Sequence, residues 1–404
     1  MNKKFKTVGL MTMSNVINFG SALQTYATVK VVESLGFYCE VIDYAYPSIW
    51  HINNAVGGEN NSSVNTCKKI IKWILRKIGL FNAFRVLLMT VHRISAAKTE
   101  RVFADFLHKI PVSKEKYDRK TILKNPPRYD IYMTGSDQTW NPRYMHTDYS
   151  YLLNFAPEKS PKIAYAASFG ATEIQAAYRS SYAEYLKKYD YISVREKSGI
   201  PLVAELSGKK AWHTPDPTLM LNKEEWGKLN QNKLGLPDKF IFAYILDYVF
   251  NPYPHVVEFL NHLSKISNMP VVFYGADVRT LGGDYRYVDN SIGPDGFVEC
   301  FANASFVVTT SFHGSAYSVN FEKDFFVVLN HTSSKDDRVK SFLASVGLEN
   351  RGLLLPQLDV SSIAVEDMKT DHTKSRVCLR KMREDSREYL KEALDFAVRK
   401  IEGA

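Results

Sequence analysis

Short, β-rich apolar runs alternate along this chain with loops rich in glycine or polar residues and then with stretches of helical period. That alternation implies a parallel sheet with helices on both faces. The spacing predicts strands at Thr7–Met13, Tyr38–Tyr44, Asp130–Thr134, Lys162–Ala167 and Tyr191–Val194. It predicts helices at Phe19–Leu35, ending at Gly36, and at Thr172–Lys188. The rhythm breaks near Ser207–Leu221, where polar residues, Pro215 and Pro217 interrupt it. It restarts with strands at Phe240–Leu246, Val271–Tyr274, Phe306–Thr309 and Phe325–Leu329. Two successive α/β halves predict two doubly wound, Rossmann-like domains facing one cleft, with boundaries at 1–207 and 208–372. From Thr373 to Ile401, apolar Val377, Met382, Leu390, Ala393, Leu394 and Ala397 recur at helical spacing. Residues 373–404 are therefore expected to form a closing amphipathic helix. A length of 404 residues suits two cores better than one.

The formal net charge of +9 is concentrated. Between Lys68 and Arg101 stand nine Lys/Arg against the single acid Glu100, a surplus of eight that leaves one positive charge for the rest. A nucleic-acid coat would spread over much of the surface, so no nucleic-acid partner is expected. This stretch lies in an insertion at about 47–128 that contains a flexible GGENNSS loop and an apolar but cationic run, Ile70–Val91. Lys72, Arg76, Lys77 and Arg85 make that run a poor membrane span. It suits either an interfacial helix pair on an anionic membrane surface or a hairpin packed on the first domain. Cys39, Cys67, Cys300 and Cys378 form no CxxC pair, so neither a disulfide framework nor a structural zinc site is expected. The first thirteen residues lack a signal-peptide pattern, which suggests a cytoplasmic protein, peripheral at the inner membrane face if the basic run docks there.

In an open parallel sheet, ligands sit beyond the carboxyl ends of the strands. Five loops at such ends are chemically rich. Asn15–Ser21 includes Asn18 and Gly20 and leads into a helix, but it lacks the dinucleotide GxGxxG pattern. Thr134–Pro142 crowds Ser136, Asp137, Gln138 and Asn141 onto one strand end, suited to sugar hydroxyls, with Asp137 a general base or alternatively a cap. Ala167–Gly170 carries Ser168 in a small turn. Ser193–Gly199 places Arg195 to fork onto a carboxylate or phosphate, or else to pair with Glu196. Phe306–Ser315 runs from a strand through Ser311, Phe312, His313 and Gly314 into a helix expected at Ser315–Phe321. A histidine at that turn would meet free helix N–H groups, an anion site with a proton carrier.

In this order, NFGSALQTYA (18–27), GSDQTWNP (135–142), YAASFG (165–170), ISVREKSG (192–199), PDPTLML (215–221) and TTSFHGSAYSVNF (309–321) resemble the polysaccharide pyruvyl transferase family. The resemblance extends through Asp337, Arg338 and GLENR (347–351) and spares the basic insertion. It implies a two-domain fold of the glycosyltransferase B (GT-B) type and transfer of pyruvate from phosphoenolpyruvate onto a sugar as a cyclic ketal. It implies phosphoenolpyruvate as co-substrate, no cofactor or metal, and a sugar acceptor carried on a lipid-linked oligosaccharide. On that resemblance Arg195 of the first domain and Ser311, Phe312, His313, Gly314, Ser315 and Arg338 of the second, the expected phosphoenolpyruvate side, bind phosphoenolpyruvate. Asn18, Gly20, Ser136, Asp137, Gln138, Asn141 and Ser168 hold the acceptor on the first. His313, Asp137 and Arg195 are the catalytic set. Some relatives have an arginine two residues before the histidine, where this chain has Ser311. Two rival readings fit the same architecture: a nucleotide-sugar glycosyltransferase and a non-catalytic membrane-associated scaffold.

Overall fold

All pairing within both sheets is parallel, and each sheet reverses its strand order once. The computed structural model describes residues 6–45, 97–231, 233–248, 250–330 and 337–403. The first sheet contains β1 (Thr7–Met11), β2 (Tyr38–Tyr44), β3 (Val112–Tyr117), β4 (Ile131–Thr134), β5 (Lys162–Ala167), β6 (Tyr191–Val194) and β7 (Trp212–His213), in the order β3-β2-β1-β4-β5-β6-β7. The second contains β8 (Ile241–Tyr244), β9 (Val271–Tyr274), β10 (Arg286–Tyr287), β11 (Phe306–Thr309), β12 (Asp324–Val328) and β13 (Gly352–Leu353), in the order β10-β9-β8-β11-β12-β13. The order turns back between β1 and β4, and again between β8 and β11. These are the switch points where crevices open. In register, Met11 stands beside Thr134 and Tyr244 beside Thr309, so each crevice is flanked by two short loops. Strands β4, β5, β8 and β11 are buried throughout, as expected of a parallel sheet covered on both faces.

Helix α1 (Phe19–Ser34) follows β1 and reaches into the second lobe. The Phe19 ring lies 4.7 Å from Phe297 in helix Gly293–Asn303 and 5.6 Å from Tyr274, with Phe103 stacked at 5.5 Å on its other side. The last helix, Thr373–Glu402, straps the lobes together. It starts on the second lobe, where His372 Nε2 meets the Lys323 carbonyl at 2.9 Å. It ends on the first, where Tyr389 donates to the Ala164 carbonyl at 2.7 Å and Lys400 pairs with Asp190 at 2.8 Å. Leu379, Tyr389, Leu390, Ala393, Leu394 and Ala397 form its buried stripe. Each fully buried large apolar side chain there contributes about 1.5–3 kcal/mol. Val377, expected in the stripe, is exposed at 55%.

Several boundaries differ from the sequence expectation. The helix expected at Thr172–Lys188 begins only at Ala176, after a loop that buries Ile174. The stretch 47–128 is not a purely helical insertion in its described part: after a helical segment at 97–107, residues 112–117 form the edge strand β3. The first sheet also extends past residue 207 to take in β7. The GGENNSS loop, the Ile70–Val91 run and Lys68 to Arg93 lie outside the described residues. Among the described residues, no helix is long and apolar enough to cross a membrane, and no His/Cys/Asp/Glu group could hold a metal.

Candidate active site

The first-lobe half of the site is assembled at the β1/β4 switch point. Asn18 caps α1, accepting from Ser21 N at 3.1 Å. Ser21 then donates its hydroxyl to Asp137 Oδ2, while Asp137 Oδ1 accepts from Gln138 N at 2.8 Å. Asp137 has φ +71°, a left-handed conformation tolerated by aspartate, which turns its carboxylate back toward α1. Its own carbonyl accepts from Thr139 N (2.7 Å) and Ser168 N (3.1 Å), locking the β4 loop to the β5 loop. Gln138 Oε1 accepts from Asn141 Nδ2 at 2.7 Å, and Asn141 caps the short helix Pro142–Met145 through Arg143 N at 3.0 Å. Gly170, at φ +58°, lies so close to the Gln138 and Asn141 amides that any side chain would displace them. Ser136 gives its carbonyl to Thr12 Oγ1 at 3.0 Å, and its buried hydroxyl has no partner among the described residues.

A buried charge network lies beside it. Arg195, just past β6, is 3% exposed and donates from Nε to Glu196 (2.9 Å), from Nη1 to Asp216 (3.0 Å) and from Nη2 to Ser168 Oγ (3.3 Å). Ser168 Oγ in turn donates to Glu196 at 2.9 Å, and the guanidinium lies 5.4 Å from the centre of the Phe312 ring. Asp216 is wholly buried in the interlobe linker, its Oδ1 accepting from Thr218 N (3.0 Å) and Oγ1 (2.8 Å). Burial alone would raise its pKa. His313, Arg195 and the Thr218 amide outweigh burial and hold the carboxyl well below the usual range, so Asp216 stays ionised. Burial likewise opposes the charge of Arg195, but Glu196, Asp216 and Asp137 together push its pKa up.

The second lobe contributes His313. The helix after β11 begins at Phe312, earlier than its expected start at Ser315, and runs Phe312–Asn320. His313 therefore sits in the first helical turn. Ser311 is the N-cap residue in extended backbone, yet no side chain caps this helix, so its leading N–H groups stay available to an anion. Ser315 returns its hydroxyl to the Ser311 carbonyl at 2.9 Å. Gly314 allows the turn to press on Thr309, and Phe312 packs on Phe342 at 5.5 Å. That contact brings helix Asp337–Val346, with Arg338 in its first turn, alongside. His313 Nε2 is buried, has no hydrogen bond among the described residues, and points at Asp216 Oδ2 3.6 Å away, with the side chain 17% exposed.

The lobes touch at Gly20. A β-carbon there would overlap His313 Nδ1 and Cε1. Gly20→Ala is accordingly expected to push the imidazole off Asp216 and lower kcat/KM by at least about tenfold, since ångström misplacements of catalytic groups cost up to about 10²-fold. Circular dichroism should meanwhile show an unchanged fold. Wild-type turnover in that variant would remove Gly20 from the site.

His313, Arg195, Ser168, Asp137 and Gly20 are thus brought into one interlobe cluster. Asn18, Asn141 and Ser315 instead use their polar groups on local backbone or neighbouring amides. Ser21 and Asp216 complete the cluster although the sequence reading gave them no role, and Glu196 joins it as the Arg195 partner of the alternative reading of that loop, at 2.9 Å. Asp216 was visible only as the middle of Pro215-Asp216-Pro217, and Ser21 as the neighbour of Gly20.

Two open parallel sheets of Rossmann order, a site between their switch points and a last helix returning to the first lobe define a two-lobe protein of the GT-B type. The description "polysaccharide pyruvyl transferase" belongs to the family model that matches residues 18–332, and the chain is a member of that family. No curated protein matches it in sequence. Solved structures similar to it include the UDP-GlcNAc 2-epimerase of Methanocaldococcus jannaschii (8% identity, 92% of this chain and 97% of that one, TM-score 0.47). A glycosyltransferase of kitacinnamycin (11%, 98% and 99%, 0.46) and the UDP-GlcNAc 2-epimerase of Neisseria meningitidis (10%, 96% and 99%, 0.45) are also similar.

Proposed function

We propose that this family member transfers pyruvate from phosphoenolpyruvate onto two hydroxyls of a sugar in a lipid-linked or growing cell-surface polysaccharide, forming a cyclic ketal. The observation that carries this reading is the Asp216–His313–Arg195 cluster at the mouth of an uncapped helix, pressed against the first lobe at Gly20. Phosphoenolpyruvate is a small polyanion whose methylene carbon must be protonated. Arg195 has five N–H groups and uses three on protein partners, leaving two for a carboxylate or phosphate. The leading N–H groups of helix Phe312–Asn320 add a neutral anion cradle, and Arg338 adds charge.

His313, its Nε2 directed at Asp216 and its ring set against Gly20, gives a ring proton to the methylene carbon. C2 becomes oxocarbenium-like, and one sugar hydroxyl adds to it while Asp137 takes that hydroxyl's proton. The C2–O bond to phosphate then breaks, phosphate departs with the bonding pair, and the second hydroxyl closes the ketal and releases its own proton. Ser21, bonded to Asp137, holds the carboxylate toward the acceptor side. No residue of this scheme needs a metal or a cofactor.

The nucleotide-sugar alternative requires an open crevice at the β8/β11 switch point. There Tyr244 is 3% exposed and packs at 4.9 Å on Phe297, and Phe19 of the opposite lobe covers both. The same strand ends carry His313, so which small molecule enters there is decided by the reaction products.

The test is incubation of purified protein with phosphoenolpyruvate and candidate lipid-linked sugars. Release of inorganic phosphate only when acceptor is present, together with pyruvyl-adduct mass on the sugar, is the expected result. Release of nucleoside diphosphate from a nucleotide sugar, with phosphoenolpyruvate untouched, would establish the rival instead.

A further inference from the structure

A second polar cavity opens at the other end of the helix that carries His313. It has a volume of about 490 Å³ and is lined by Lys223, Glu224, Asn320, Glu322, Arg376, Arg380 and Arg383. Four cations thus face two carboxylates. Glu322 answers two of the cations, Arg376 Nε at 2.8 Å and Lys223 Nζ at 3.3 Å. Arg380 is exposed and makes no hydrogen bond or ion pair among the described residues.

Arg383 differs from the others in being partly buried with no carboxylate within ion-pairing distance. It donates to the Leu219 carbonyl at 2.7 Å and to Asn320 Oδ1 at 2.8 Å, and Asn320 Nδ2 reaches the Thr218 and Leu221 carbonyls at 3.0 and 2.8 Å. Burial lowers its pKa, and the more distant Glu225 and Glu224 oppose that effect. A guanidinium held in a cavity wall by carbonyls alone keeps charge that a bound anion would satisfy.

We propose that this cavity is a binding site for a small, multiply charged anion of the phosphate-ester class, gripped by Arg380, Arg376, Lys223 and Arg383. The volume lies within the range of small-molecule sites, about 300–1,000 Å³, and suits a phosphorylated sugar or triose. The cations come from two elements, the last helix and the short helix Lys223–Gly227 after the linker, so a single ligand bridges the strap to the second lobe. This site is separate from the His313 cluster and does not depend on the chemistry proposed there.

Calorimetric titration with glycerol 3-phosphate, at constant ionic strength, tests it on wild type, Arg380→Gln and His313→Ala. The expected result is saturable binding to wild type and to His313→Ala, weakened at least about tenfold in Arg380→Gln. Arg380 is exposed, so its loss leaves the fold intact, which equal wild-type and variant melting temperatures without ligand would establish. Undiminished binding to Arg380→Gln, binding abolished by His313→Ala alone, or no binding to wild type would each overturn the proposal.

Discussion

Replacing His313 by alanine is expected to lower kcat/KM for phosphoenolpyruvate-dependent transfer by about 10²–10⁴-fold, the range typical of losing a positioned acid. The fall should appear in kcat, because the Arg195 donors and the helix N–H groups that would hold the anion in the proposed reaction are untouched. Stability should fall much less than activity: the ring is 17% exposed, and its removal leaves Asp216 paired with Arg195 and Thr218. The measurement is acceptor-dependent phosphate release alongside a urea unfolding curve. A variant that unfolds early would make His313 a structural residue, and one that turns over normally would move the proton donor elsewhere.

How much of this was legible in the sequence depended on whether a residue's role is local. Tyr38–Tyr44, Lys162–Ala167 and Val271–Tyr274 were delimited correctly because each is a short apolar run between clear breakers. β3, Val112–Tyr117, escaped because VSKEKY is mostly polar. It is an edge strand, paired on one side only, and its three lysine and glutamate side chains stay in water. β7, β10 and β13, of two residues each, are too short to show any period. The helix start at Phe312 was misplaced because Ser311-Phe-His-Gly314 reads as a turn. In the fold Gly314 is helical, and its missing side chain serves the close approach to Thr309. Val377 fell outside the buried stripe because the first turns of the last helix lie along the cavity that Arg380 lines, and the helix reaches the first lobe only farther on. The loops at the strand ends were recognisable from their polar density. The Arg195–Asp216–His313 network was not, since it joins the end of β6, the linker and the second lobe, contacts that exist only once both sheets have formed.

Asp216 carries the other large effect, and here stability and activity are both expected to fall. Asp216→Ala leaves the Arg195 guanidinium buried with one carboxylate instead of two and strips the Thr218 amide and hydroxyl of their acceptor. Removing one partner of a buried pair typically costs about 3–5 kcal/mol. The lower end applies, because Glu196 still accepts from Arg195 Nε at 2.9 Å. Asp216→Asn keeps the acceptor for Thr218 and restores part of the loss, but it removes the charge that faces His313. The pH dependence follows from the direction of the shift. The native carboxyl is held below its unfolded value, so its contribution is fully present above about pH 4, the ordinary aspartate range. It is shed as the pH falls below that value toward the depressed native one. The gap in unfolding free energy between wild type and Asp216→Asn should therefore narrow as the pH falls below about 4. A gap that instead closed between pH 6 and 8 would mean that a histidine, not this carboxylate, sets the charge balance of the cluster. Because Arg195 and His313 meet through Asp216 and not directly, a loss of transfer in Asp216→Asn with the fold retained would assign the linker carboxylate to the positioning of the imidazole.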